Sequence, residues 1–101
     1  MVSAPSVSSS ITARLRVRAR PTAVSELTTA IESSGGIVTA LDVQSSGREQ
    51  MTVDVTCDTR GEEHATAIVA ALDRLPGVVV ERVSDRTFLA HLGGKLSIEA
   101  K

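Results

Sequence analysis

A doubled strand–helix–strand pattern places this 101-residue chain in the α+β class, as a ferredoxin-like βαββαβ sandwich. Three observations point there. Apolar residues recur with a period of two over residues 11–19 and 51–58, the mark of half-buried strands. They recur at helical spacing after each of these runs. The two halves also superpose. A shift of 40 residues brings Thr12 onto Thr52, Leu15 onto Val55, Arg20 onto Arg60 and Ala30 onto Ala70. After a one-residue slip, Gly36-Ile37-Val38 meets Gly77-Val78-Val79. Right-handed crossovers then set both helices on one face of a four-stranded antiparallel sheet in the order 4-1-3-2.

Residues 1–10, MVSAPSVSSS, are Ser-rich and aperiodic and read as a disordered lead-in. In the first strand Ile11, Ala13, Leu15, Val17 and Ala19 alternate with Thr12, Arg14, Arg16, Arg18 and Arg20. Pro21 ends it and pre-sets the entry to a helix. Val24, Leu27, Thr28 and Ile31 form the apolar stripe of that helix, and Gly35-Gly36 stops it. The second strand is expected to place Ile37, Thr39, Leu41 and Val43 on one face, before a turn at Ser45-Ser46-Gly47-Arg48. The third sets Met51, Val53, Val55 and Cys57 against Thr52, Asp54, Thr56 and Asp58. Thr59-Arg60-Gly61-Glu62 has capping-box spacing, a hydroxyl to cap and a carboxylate three residues on to reach back. The second helix carries Ala65, Ile68, Val69, Leu72 and Leu75 on one face and ends at Leu75-Pro76-Gly77. Val78 to Val83, rich in β-branched residues, make the fourth strand. Beyond it Phe88, Ala90 and Leu92 alternate with Thr87, Leu89 and His91 before Gly93-Gly94 breaks the run. That segment is expected to turn back beside strand 4 as an extra strand. The pattern is still running at Lys101, as in a piece of something longer. The expected organisation is a lead-in over 1–10, a domain over 11–84, and an extra strand and linker over 85–101.

Composition narrows the function classes. Eleven basic and twelve acidic residues give a net charge of −1, against the clearly basic balance of a nucleic-acid binder. RNA recognition on this fold needs aromatic platforms, and the outward positions of strands 1 and 3 carry Arg, Asp and Thr instead. No apolar stretch is long enough to span a bilayer, and no signal peptide is visible. The lone Cys57 excludes an intramolecular disulfide and a cysteine zinc cluster, and fits a reducing, cytoplasmic compartment. Neither histidine has a ligand-spaced partner, so His64 and His91 read as surface residues. Cys57 reads as a buried, inert thiol. Arg14, Arg16 and Arg18 face the uncovered side of the sheet with Asp54, Asp42 and Glu81 or Arg82 as neighbours. They read as a solvated ionic ladder or as a docking surface. One loop keeps chemical interest. At Ala19-Arg20-Pro21-Thr22 the first amides of the helix can bind a carboxylate, or Thr22 can cap them.

At this loop the chain resembles the ACT domain family, a βαββαβ regulatory module. The matching stretches are Arg20-Pro21-Thr22-Ala23-Val24 and Gly35-Gly36-Ile37-Val38. The run from Val83 to Lys95 resembles the passage that joins an N-terminal ACT domain to the catalytic part of bacterial malic enzymes. The resemblance implies that residues 1–101 are the regulatory head of an enzyme that oxidatively decarboxylates malate with NAD or NADP and a divalent metal. Its catalytic, metal and nucleotide sites would lie beyond Lys101. It also implies an amino acid or similar small effector, held at a boundary with a second copy by Arg20, Pro21, Thr22 and Ala23, with Gly36, Ile37 and Val38 nearby. The chain departs from the family pattern where Thr22 replaces a Gly and Val38 a polar residue. Those departures favour the alternative, a ligand-free dimerisation or assembly module of the same enzyme.

Overall fold

The computed structural model describes residues 9–85. The elements run β1 (Ser9–Arg18), α1 (Ala23–Ser33), β2 (Ile37–Ser46), β3 (Gln50–Thr59), α2 (Glu62–Asp73) and β4 (Val78–Asp85). Every strand pair is antiparallel, and the sheet order β2-β3-β1-β4 is the expected 4-1-3-2. The expected lead-in falls mostly on residues 1–8 and the extra strand on residues 86–101, both outside the described residues. β1 begins at Ser9, two residues before the apolar alternation, because Ser9 and Ser10 still pair with Thr59 and Asp58.

The two strands with the cleanest alternation lie at the centre, paired without a break from Ser9↔Thr59 to Arg18↔Gln50. Their inward residues, Ile11, Ala13, Leu15, Val17, Val53, Val55 and Cys57, are each at most 2% exposed. Leu27 and Ile31 of α1 and Ile68 and Leu72 of α2 close the core over them. The stripe on α1 runs through Ala23, Leu27 and Ile31, at four-residue spacing, and leaves Val24 on the flank. A Schellman motif ends α1: Gly36 N donates to Ile31 O at 2.9 Å and Gly35 N to Glu32 O at 3.0 Å, with Gly35 at φ 89°.

The inward face of β2 differs from the expected one. Its pairing steps from Val38↔Cys57 to Ala40↔Thr56, so Thr39 is an extra residue and the parity flips there. Residues paired across an antiparallel ladder share a face, so Val38 and Leu41 look into the core and Ile37, opposite Asp58, looks out. Ile37 is 63% exposed. β4 has a similar irregularity at Glu81, between Arg14↔Arg82 and Leu15↔Val80, and extends to Asp85.

Candidate functional site

The β1–α1 loop sits where β1 ends against the β2–β3 turn and the α2–β4 loop. Ala19 N donates to Glu49 O at 2.9 Å and Arg18 N to Gly77 O at 2.8 Å. Thr22 is the N-cap of α1 by position, yet its hydroxyl makes no capping bond to the helix amides. It donates instead to Glu26 Oε2 at 2.8 Å. Arg20 reaches the other oxygen of the same carboxylate and also donates to Pro76 O at 3.1 Å. Hydrogen bonds from Thr22 and then Arg20, with the arginine's charge, hold the Glu26 carboxyl below the usual range. Arg20 Nε is buried with no hydrogen-bond partner among the described residues. An open groove of about 580 Å³ lies here, lined by Arg20, Thr22, Glu26, Ala30, Leu75 and Pro76. An internal carboxylate therefore already engages the Arg20 and Thr22 side chains beside the helix terminus that could receive one from a ligand.

Gly36, Ile37 and Val38 are not near this loop. They lie at the other end of the sheet, where Ile37 pairs with Asp58, while Arg20 to Ala23 follow the Arg18↔Gln50 end. The 11 residues of α1 separate the two sets, a span of about 16 Å at helical rise. Gly36 also has a packing duty. A Cβ there would lie 2.7 Å from Ile68 Cδ1 and 2.8 Å from Ile31 Cγ2, so its missing side chain lets α1 and α2 meet.

The α2 terminus corrects two expectations together. The capping box does not form: the N-cap is Gly61, without a side-chain cap, and Thr59 ends β3, buried. Moving the cap two residues along brings His64 to the third helical position. Its Nδ1 accepts from Arg60 N at 2.8 Å, so Nε2 carries the proton and donates to Ser34 O at 2.7 Å. His64 is thus a half-buried strut between the start of α2 and the end of α1, rather than a free surface histidine. The signal in the sequence was a histidine three residues after a glycine cap, with no acid at that position.

The uncovered sheet face holds the expected ladder. Arg14 grips Asp54 with two hydrogen bonds, 2.8 and 2.9 Å, and Arg16 Nη1 meets Glu81 Oε2 at 2.6 Å. Thr12 and Thr56 share a hydroxyl bond at 2.9 Å. The bidentate arginine holds the Asp54 carboxyl below its ordinary range, and Asp54 in turn raises the Arg14 guanidinium. On the core side, burial pushes the Cys57 thiol up to about 11. Among the described residues no three acids, histidines or cysteines gather to hold a metal. None of their helices is long and apolar enough to cross a membrane.

No family model matches the chain. Over 91 residues, 90% of its length, it is 35% identical to an NAD-dependent malic enzyme of Geobacillus stearothermophilus. The chain spans only 19% of that enzyme. Among solved structures, a homoserine dehydrogenase from Thiobacillus denitrificans superposes with a TM-score of 0.58 at 22% identity. That match covers 78% of this chain and 17% of the dehydrogenase, and shows a shared fold.

Proposed function

We propose that this chain is the regulatory head of an NAD-dependent malic enzyme, an ACT-type module that modulates the oxidative decarboxylation of malate carried out elsewhere in the parent. The observation that carries this reading is that nearly the whole chain aligns with a small part of such an enzyme. The chemistry of the described residues supports it. Asp54 is held by Arg14, Glu26 by Arg20 and Thr22, and His64 by two backbone groups, while Cys57 is packed in the core. Each of these four groups has a structural task. Gly35-Gly36 closes a helix. On this reading NAD and the divalent metal belong to the catalytic part.

The regulatory signal would be a small carboxylate, an amino acid or similar, received at the α1 terminus. The unpartnered Arg20 Nε beside an open groove supports that placement. Arg20 to Ala23 of one copy and Gly36 to Val38 of a second would complete the site, since one copy keeps them at opposite ends. A second reading is favoured by Glu26, which already engages Arg20 and Thr22: the module then assembles copies of the enzyme without a ligand.

Thermal denaturation against amino acids and small carboxylates separates the two. A ligand at a hundred times its Kd adds about 2.7 kcal/mol. For a domain of this size that raises Tm by on the order of 10 °C. The sensor reading expects such a hit, and its loss in Thr22→Lys with dimerisation unchanged. A flat panel from samples that sediment as dimers would leave assembly as the role.

A further inference from the structure

A small cavity on the uncovered face of the sheet has no part in the proposed function. It measures about 160 Å³ and is lined by Thr12 and Arg14 of β1, Asp54 of β3, and Arg82 and Ser84 of β4. Sites for drug-sized ligands span roughly 300–1,000 Å³, so a ligand of only a few heavy atoms fits here.

The bulge in β4 makes this cavity. Val80 pairs with Leu15 and packs on the core, and strict alternation from it would turn Arg82 inward. Glu81 is the extra residue, so Arg82 emerges opposite Arg14, and Ser84 opposite Thr12. Like charges directly opposite on neighbouring strands destabilise a sheet. Asp54 answers only one of the two arginines in full. Arg14 gives its carboxylate two hydrogen bonds, and Arg82 acts on it through charge alone. Glu81 is taken by Arg16 at 2.6 Å. Asp42, which pairs with Asp54, stands on β2 at the far edge of the sheet. Three strand spacings put it about 14 Å from Arg82, beyond a Debye length at physiological salt. Two guanidiniums therefore share one carboxylate, and a positive charge is left over between β1 and β4.

We propose that this cavity binds a free tetrahedral oxyanion of the phosphate class between Arg14 and Arg82. The donors suit it. Arg14 commits two of its five N–H groups to Asp54 and keeps three. Among the described residues Arg82 makes no hydrogen bond or ion pair, and the Ser84 hydroxyl makes no hydrogen bond. Thr12 and Thr56 share a bond in which either hydroxyl can donate, so Thr12 can turn its proton to a ligand. Guanidinium and hydroxyl donors from two strands surround a tetrahedral anion better than a planar carboxylate. Asp54 stays with Arg14 and limits the net attraction, so millimolar affinity is expected. The bound anion would remove the like-charge opposition and tie the edge strand β4 to β1.

The test titrates the full 101-residue chain with inorganic phosphate, against sodium chloride at matched ionic strength, and follows backbone amides and arginine Nε–H groups by NMR. Saturable shifts at Thr12, Arg14, Arg82 and Ser84 are expected, which chloride does not reproduce. Arg82→Gln changes an exposed side chain and should weaken binding about tenfold or more, the worth of a charge-assisted hydrogen bond. Phosphate also stabilises proteins generally, through exclusion from their surface. The saturable gain in Tm should therefore appear in the parent and be missing in Arg82→Gln. Shifts that rise without saturation, that spread evenly to Arg48 and Arg74, or that centre on Arg20 to Ala23 would overturn the proposal. So would an Arg82→Gln protein that binds phosphate as tightly as the parent. Glycerol phosphate, run beside the free ion, should bind no more tightly in so small a cavity; tighter binding would overturn the free ion as occupant.

Discussion

Gly36→Ala adds one methyl group against two buried isoleucines. The new Cβ would stand 2.7 Å from Ile68 Cδ1 and 2.8 Å from Ile31 Cγ2, closer than real Cβ contacts come. Both isoleucines have no exposed surface, so neither can swing into solvent. The backbone there has no left-handed φ, unlike Gly35 at 89°, so steric crowding is the only cost to consider. Overpacking of this kind costs about 1–3 kcal/mol. At about 4–8 °C per kcal/mol for a domain this size, Tm should fall by on the order of 10 °C. Denaturant unfolding followed by circular dichroism measures it. Ile68→Val removes the closest clashing atom at its own cost of about 0.5–1.5 kcal/mol. The double variant should therefore be more stable than the sum of the single losses, by more than about 0.5 kcal/mol. Strict additivity, or a Gly36→Ala protein as stable as the parent, would refute the assignment of Gly36 to helix packing.

Two further outcomes follow from the polar contacts. Arg14 lowers the Asp54 carboxyl in the folded state, below the value of about 3.9 in an unfolded chain. The sign is then set: the pair stabilises above the unfolded value, and the share is lost as pH falls through the folded one. The Tm gap between the parent and Asp54→Asn should be full near neutrality and close as pH drops below about 5; a gap that stays constant to pH 2 would contradict it. His64→Ala leaves Arg60 N and Ser34 O without their partner, which should cost about 1 kcal/mol in denaturant unfolding. It should also speed amide hydrogen exchange at the junction of the two helices, and unchanged exchange there would return His64 to a surface role.

The topology was legible because β1, β3 and the helices carry unambiguous periods. In β3, apolar and polar residues alternate from Met51 to Asp58 without a lapse, so only one face can go inward. β2 was not legible in the same way. Ile37-Val38-Thr39-Ala40-Leu41 is apolar or β-branched at both parities, and a bulge at Thr39 leaves no mark in such a run. The α2 cap was misplaced for a related reason. Thr59 and Glu62 have the right spacing, but the β-ladder holds Thr59 as its last rung, opposite Ser9, and a strand residue cannot also cap. The candidate loop was legible as a helix terminus. The engagement of Arg20 and Thr22 by Glu26 was not, because Arg20 lies six residues from Glu26 across the loop, and the four-residue step from Thr22 to Glu26 does not by itself fix a contact.

The 16 Å between the two halves of the proposed effector site ties sensing to assembly. A ligand that touches Arg20 to Ala23 of one copy and Gly36 to Val38 of another binds the pair and not the single chain. By reciprocity, whatever factor it gains from pairing it returns as a tighter dimer. Glu26 opposes that gain, since its carboxylate is held by Arg20 and Thr22 before any ligand arrives. An entering carboxylate must displace it or bind beside it, and only the difference between the two carboxylates remains to drive pairing. The same loop can therefore belong to a responsive sensor or to a fixed assembly contact, according to how firmly one glutamate holds its place.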